Sequence, residues 1–305
     1  MMKTVIFKNK NIDISATMRF PKDFDENKKY ATIVCAHPIS GCKEQTSGAI
    51  YGEKLTEAGF ITLAFDASYQ GASGGEPRFL EDPATRVEDF RCAADYLTTL
   101  DYVDENRIGV LGICGGGANA AMTERRFKAV VTVVAANYGR IMREGDLSPD
   151  SAIKTLEAIT AQRTAEARGA DAFITQYAPN SQQEREQAGL NDIDIKEAVD
   201  YYRTPRGQAD GAPNKLLFSG LAAAFGFDAF HLADHLLTQP LQIVIGDVPG
   251  GFGSYRDGYE LFSKAASKDK NLLVVKGASH YDLYDQPEPV VQALEKIIPF
   301  FQKHL

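Results

Sequence analysis

The chain has 305 residues, 44% of them hydrophobic and 24% charged, with 33 basic against 41 acidic side chains and a formal net charge of −8. This composition can fill a complete core, which excludes collagen, coiled coil and long disorder, and no apolar run approaches the ~18–20 residues of a bilayer span. Without a basic cluster to neutralise phosphates, no nucleic-acid partner is expected.

The N-terminal stretch MMKTVIFKNKNIDIS has no apolar core and no small-residue cleavage site, so no signal peptide and no membrane association are expected. The four cysteines, Cys35, Cys42, Cys92 and Cys114, are irregularly spaced and form no C-x-x-C or Cys/His cluster. Neither a disulfide framework nor a zinc site is expected, and the reading is of a cytoplasmic protein with reduced thiols.

Short apolar runs bounded by turn residues mark strands at 3–7, 12–20, 31–36, 60–65, 107–113 and 129–135. After a long gap they resume at 241–246 and 272–276. Most of the later runs are apolar throughout, as in strands covered on both faces. Asp82-Pro83 opens a helix, with Asp as the cap and Pro in the first turn, and Val87, Phe90, Ala94 and Leu97 follow at helical spacing. The last helix carries a stripe of Val290, Val291, Leu294, Ile297, Ile298 and Phe301. Strands alternating with helices predict a mostly parallel sheet flanked by helices. Residues 138–235 break the rhythm: they are polar and helix-prone with no convincing strand, with helices at 153–168 and 194–202 and a loop at 202–214. They fall between two core strands. The expected organisation is therefore a core of 1–137 and 236–305 with a helical cap insertion at 138–235.

Three segments carry chemistry. In Ile108–Gly117, IGVLGICGGG, a strand runs into Gly-Ile-Cys-Gly-Gly and then into an alanine-rich helix. This is the G-x-S-x-G nucleophile elbow with Cys114 in the serine position, and Gly112 and Gly116 at the sites where a side chain would collide with backbone. A helix N-terminus behind Cys114 favours thiolate, and the Gly115 N–H is the first expected oxyanion donor. The second segment, VCAHPISG at 34–41, closes another strand. Pro38 lacks an N–H, which makes Ile39 the expected second donor and Ser40 the reserve; His37 either shapes the pocket or is a turn residue held by backbone. The third, KGASHYDLY at 276–284, follows the last strand and offers His280 as general base. The acid is expected after the strand 241–246, where Asp247 is the only carboxylate before Asp257; Asp257 is the substitute. Asp66 reads as a support for the elbow loops, and Cys35, Cys42 and Cys92 as small buried side chains.

The order Cys114, Asp247, His280 around a parallel sheet resembles the α/β-hydrolase superfamily. Segments 37–45, 65–71, 107–117, 201–207 and 277–284 resemble its dienelactone hydrolase-like branch, which also includes dipeptidyl-peptidase-like hydrolases. That resemblance implies an α/β-hydrolase fold with a mostly parallel eight-stranded sheet. Dienelactone hydrolase itself has Cys at the elbow and a Glu after the third strand; here His37 stands at about that place, and the cap is an addition.

These residues predict a cysteine-dependent acyl hydrolase. It would act on an ester, lactone or thioester through an acyl-thioenzyme, with a small-molecule acyl substrate and no cofactor or metal. A thiolate is a better leaving group than a plain alkoxide, so activated acyl groups are favoured over peptides. A homo-oligomer is compatible with the sequence. Acyl transfer on the same fold and a non-catalytic ligand-binding homologue are the alternatives. Phe225, Phe227, Phe230, Tyr177, Tyr201 and Tyr202 are the aromatic residues available to line an enclosed pocket.

Overall fold

Each of the eight apolar runs is a strand in the computed structural model, which describes residues 1–115, 118–144 and 149–305. They are β1 Met2–Asn9, β2 Ile12–Arg19, β3 Tyr30–Ala36, β4 Ile61–Phe65, β5 Val103–Ile113, β6 Phe127–Val133, β9 Leu241–Gly246 and β10 Lys270–Val275. They form one sheet in the order β1-β2-β4-β3-β5-β6-β9-β10. β2 pairs antiparallel with β1 and β4, and the pairs from β4 across to β10 are parallel.

The two-residue period of a strand divides the core between the two faces of the sheet. On β3, Val34 and Ala36 face one cluster with Phe90 and Leu97, and Ile33 and Cys35 face the other with Leu55, Leu294 and Phe301. Phe90 and Leu97 lie on α2 Pro83–Thr98, whose cap, Asp82, accepts the Thr85 N–H at 2.7 Å. Leu55 belongs to α1 Glu53–Glu57, and Leu294 and Phe301 to α12 Pro287–His304. On α12 the buried stripe is Val290, Ala293, Leu294, Ile297, Phe300 and Phe301, while Val291 is exposed. Residue 291 stands about 100° around the helix from Val290, off the face set by Leu294 and Ile297.

One feature has no counterpart in the apolar pattern: a wide helical turn over Thr46–Gly52, leading into α1. Thr46 Oγ1 donates to the Tyr284 carbonyl at 2.7 Å and Tyr51 Oη to the Leu283 carbonyl at 2.7 Å. These bonds fix the short helix α11, Asp282–Asp285, that follows β10.

Between β6 and β9 come α4 Tyr138–Glu144, α5 Pro149–Ala167, α6 Gln182–Gln187, α7 Ile193–Arg203, α8 Ala222–Phe225 and α9 Ala233–Leu236. A two-residue antiparallel pair, β7 Ile174–Thr175 with β8 Leu216–Leu217, joins them and is too short to show a period in sequence. This segment is tied to loops at the C-terminal ends of the parallel strands. Gln45 Nε2 donates to the Gly207 carbonyl at 2.6 Å, and Arg206 Nη2 to Asp285 at 2.7 Å. α10, Ser254–Lys264, lies between β9 and β10. Among the described residues no helix is long and apolar enough to cross a membrane.

Candidate active site

Cys114 is the residue after β5, and its backbone is left-handed at φ 55°. A non-glycine residue rarely holds that conformation unless its surroundings impose it. Here the Cys114 N–H donates to the Val133 carbonyl at 3.0 Å, and the Cys114 carbonyl accepts the Ala136 N–H at 3.3 Å. Gly116 and Gly117 of the elbow motif lie outside the described residues. Cys114 is 5% exposed, and burial pushes its thiol up to about 11. A Tyr284 hydroxyl bond, the Gly115 N–H and the Arg86 charge pull the other way. Desolvation outweighs the local donors, which favours a neutral thiol at rest over a thiolate–imidazolium pair.

Ile39 lies beside Gly115, the residue after Cys114. A side chain at Gly115 would bring its Cβ within 2.8 Å of Ile39 Cδ1, so the two expected donor residues are neighbours. His37 is locked into the turn beneath them. Its Nε2 accepts the Ala67 N–H at 3.0 Å, which leaves the proton on Nδ1 to donate to the Pro38 carbonyl at 2.6 Å. Burial, with Arg86 close by, brings His37 down to about 3. Arg86 pairs with Glu81 at 2.7 and 2.8 Å and donates to the His37 carbonyl at 3.2 Å. Asp66 supports the same loop, accepting the Lys43 N–H at 2.8 Å, Lys43 Nζ at 2.7 Å and the Ala72 N–H at 2.9 Å. Donor atoms of Cys42, Glu44 and Asp66 lie within 4.8 Å of one another. The Lys43 ammonium already bridges both carboxylates, at 2.7 Å each.

His280, 2% exposed, stands between two hydroxyls. Nδ1 meets Ser254 Oγ at 3.0 Å and Nε2 meets Tyr284 Oη at 3.2 Å. The same Tyr284 hydroxyl is close enough to Cys114 to draw its thiol down. Nucleophile and imidazole therefore share Tyr284 as a neighbour, and the hydrogen bonds run Tyr284–His280–Ser254. Burial brings His280 down to about 3, so His280 and Cys114 are both neutral at rest.

Asp247 is not brought to the imidazole by any hydrogen bond. Its Oδ1 accepts the Gly277 N–H at 2.5 Å. It directly follows Gly246, whose Cα lies so close to the Ala278 carbonyl that a Cβ would overlap it; an acid this near the strand end reaches the neighbouring loop instead. Asp257, the substitute, is bound to Arg140 at 2.7 and 2.9 Å and to the Asn137 N–H at 2.7 Å. The place of the expected acid is filled by Ser254, the first residue of α10. Tyr284 was legible in the quoted segment, four residues after His280 and hence on the same side of a helical turn. Ser254 carries no such signal.

The alpha/beta hydrolase family model matches residues 47–293, most of the chain. The chain belongs to that family. The eight-stranded, mostly parallel sheet flanked by helices is the α/β-hydrolase fold, and the family includes esterases and lipases. The chain is 42% identical, over its whole length and the whole of the other, to the uncharacterized protein YcjY of Escherichia coli. The crystal structure of the hypothetical protein PA2218 from Pseudomonas aeruginosa is 30% identical and superposes with a TM-score of 0.89, covering 100% of this chain and 94% of the other. A third relative, thiohydrolase apmlB of Arthrinium phaeospermum, is 31% identical over 151 residues, 47% of this chain and 48% of that one.

In this chain, the aromatic residues of the insertion divide by position. Tyr177, Tyr201 and Tyr202 form a ring-to-ring cluster with Tyr281 and Tyr284, with centroids 4.7–6.1 Å apart. Tyr177 and Tyr202 are close enough to feel charge on Cys114. Phe230 instead packs into the core beneath the sheet and Phe225 into a small cluster of the insertion with Ile159 and Leu216. Phe227 is half-buried, its carbonyl accepting from Arg143 at 2.6 Å.

Proposed function

We propose that this chain is a cysteine-dependent acyl hydrolase that cleaves an activated ester, lactone or thioester through an acyl-thioenzyme. The observation that carries the reading is the Tyr284 hydroxyl, bonded to a neutral His280 and close enough to the left-handed Cys114 to draw its thiol down. The name of the fungal thiohydrolase, whose match covers about half of each chain, supports the thioester arm.

The electrostatics favour activation during attack over a preformed ion pair. A neutral thiol and a neutral imidazole coexist at rest, so the proton leaves sulfur as the sulfur–carbon bond forms. The Cys114 proton passes to Tyr284 Oη while the Tyr284 proton passes to His280 Nε2. The sulfur pair bonds the carbonyl carbon, and the carbonyl π pair moves onto oxygen, where the Gly115 and Ile39 N–H groups are its donors. Collapse of the intermediate breaks the bond to the leaving thiol or alcohol, which takes the proton back from the imidazolium. Water then attacks the acyl-thioenzyme, gives its proton to His280, and the acid departs as Cys114 is regenerated. Ser254 orients the ring by accepting from Nδ1–H, the task a carboxylate performs in a Ser-His-Asp triad. A serine hydroxyl has no charge to stabilise the imidazolium. A thiol loses its proton more readily than an alcohol, and so requires less of that help.

The test is turnover of a panel of thioesters, lactones and aryl esters by wild type, Cys114→Ala and Cys114→Ser. Loss of turnover in Cys114→Ala is expected. Near-wild-type turnover by that variant removes Cys114 from the chemistry.

A further inference from the structure

A buried carboxylate whose charge is felt at the thiol takes no part in these steps. Asp194, on the first turn of α7, is 1% exposed. Its Oδ2 accepts the Phe252 N–H at 2.8 Å, and its Oδ1 has no hydrogen-bond partner. The carboxylate rests on Gly250, where any side chain would overlap it, and Phe252 stands edge-on to His280 with centroids 5.5 Å apart. Charge on Asp194 is felt at both Cys114 and Tyr177. Around the same thiol the hydroxyls of Tyr202 and Tyr281 approach Tyr284 and Tyr177 without a well-formed hydrogen bond.

Buried polar atoms in folded proteins nearly always have partners, because water's hydrogen bonds have been given up and must be replaced. Three oxygens short of a partner, gathered near one nucleophile, make a poor lining for a plain alkyl chain. They suit a group that brings its own hydrogen-bond donors. The neighbouring tyrosines stay neutral and carry no positive charge to balance a carboxylate, so Oδ1 suits a bound group that brings its own donor.

We propose that Asp194, with Tyr202 and Tyr281, forms a polar subsite that selects acyl groups bearing a hydrogen-bond donor, a hydroxyl or an ammonium, close to the reacting carbonyl. The inference rests on the reading of Cys114 as nucleophile, since it names the substrate class of that same site. Asp194 binds the substituent while Cys114 attacks the carbonyl, so its contribution belongs to substrate affinity.

The experiment compares butyryl, 3-hydroxybutyryl and 3-aminobutyryl thioesters of N-acetylcysteamine. Wild type is expected to favour at least one donor-bearing thioester over butyryl. In Asp194→Asn, which keeps the size of the side chain and an acceptor for the Phe252 N–H, that preference in kcat/KM falls at least tenfold, and the fall lies in KM. The arm that falls further identifies hydroxyl or ammonium. Tyr202→Phe is expected to lower the same preference about threefold. An unchanged preference in Asp194→Asn, or a wild type that favours butyryl, overturns the proposal. Calorimetric binding of the three thioesters to Cys114→Ala, with and without Asp194→Asn, answers the question without turnover. If wild type cleaves none of them, the hydrolase reading fails. The subsite then stands on tighter binding of a donor-bearing thioester that Asp194→Asn abolishes, and equal binding of all three overturns it.

Discussion

Tyr284→Phe removes one oxygen from the centre of the site and leaves the ring in place. That oxygen lies 3.2 Å from His280 Nε2 and close enough to Cys114 to draw its thiol down. In the proposed mechanism it is the link through which His280 receives the thiol proton. General-base assistance is worth about 10²–10⁴ in rate, and the variant should lose about 10²–10³ in kcat/KM near pH 7.5. The pH profile is the sharper readout. Without the relay, turnover depends on thiolate formed in advance. A thiol at about 11 is ionised in only about one molecule in 3,000 at pH 7.5, and that fraction grows about tenfold per pH unit. Residual activity of Tyr284→Phe should therefore climb about tenfold per unit between pH 7 and 10, while wild type varies less steeply. The assay is release of free thiol from an activated thioester, read chromatographically so that protein thiols do not interfere. A variant that keeps more than a third of wild-type activity at pH 7.5 refutes the relay. So does a deficit that stays constant with pH.

The resting thiol itself gives a second prediction. Burial raises Cys114 to about 11, so thiolate appears only at high pH. Alkylation by iodoacetamide at pH 7 should run about 100-fold slower than for a free cysteine, rising tenfold per pH unit; a fast, pH-independent reaction below pH 8 would instead reveal an ion pair at rest. Third, Ser254→Ala should lower kcat about tenfold by freeing the His280 ring, whereas Asp247→Asn, whose carboxylate serves Gly277, should change kcat less than threefold. The reverse order in steady-state kinetics would return Asp247 to the base. Fourth, burial raises Asp194 to about 7, against about 4 in the unfolded chain. From pH 4 to 7 the unfolded carboxyl has lost its proton while the folded one keeps it, so stability falls as pH rises and then levels off. Asp194→Asn should remove that loss, gaining up to about 4 kcal/mol at pH 8 and nothing at pH 4. An equal change at both pH values by urea denaturation would contradict it.

The sheet was legible because its signal is redundant. On β3, residues facing opposite cores alternate one by one, and neighbours on β4 and β5 repeat the pattern. Cys114 and its place at the end of β5 were legible for a related reason: a strained turn between strand and helix restricts residue type at several adjacent positions. The position of His280, the proposed base, followed from its place after the last strand. What sequence did not show depends on contacts between distant segments. Ser254 meets His280 across 26 residues, and Asp194 reaches Phe252 across 58. Nothing local distinguishes either from an ordinary helix-start residue, since Ser and Asp are common in first turns for capping alone. Asp247 was misplaced because the spacing rule counts residues along the chain, while the carboxylate settles wherever the nearest unpaired N–H lies, here on Gly277.

These contacts also bear on how the proposed cysteine mechanism would run without a carboxylate on its histidine. In a serine hydrolase the acid stabilises the imidazolium formed when a reluctant alcohol is deprotonated. In this chain a carboxylate whose charge reaches the thiol, Asp194, is held by the insertion and bonds Phe252, while the imidazole is flanked by two neutral hydroxyls. Placing a full charge at Nδ1 would favour a thiolate–imidazolium pair in a site whose walls are tyrosine rings, where two separated charges are poorly solvated. Neutral partners leave the proton on sulfur until a carbonyl is present to accept the electrons. A thiol held in this way would react slowly with adventitious electrophiles, and its reactivity would depend on a substrate whose own donors meet Asp194, Tyr202 and Tyr281.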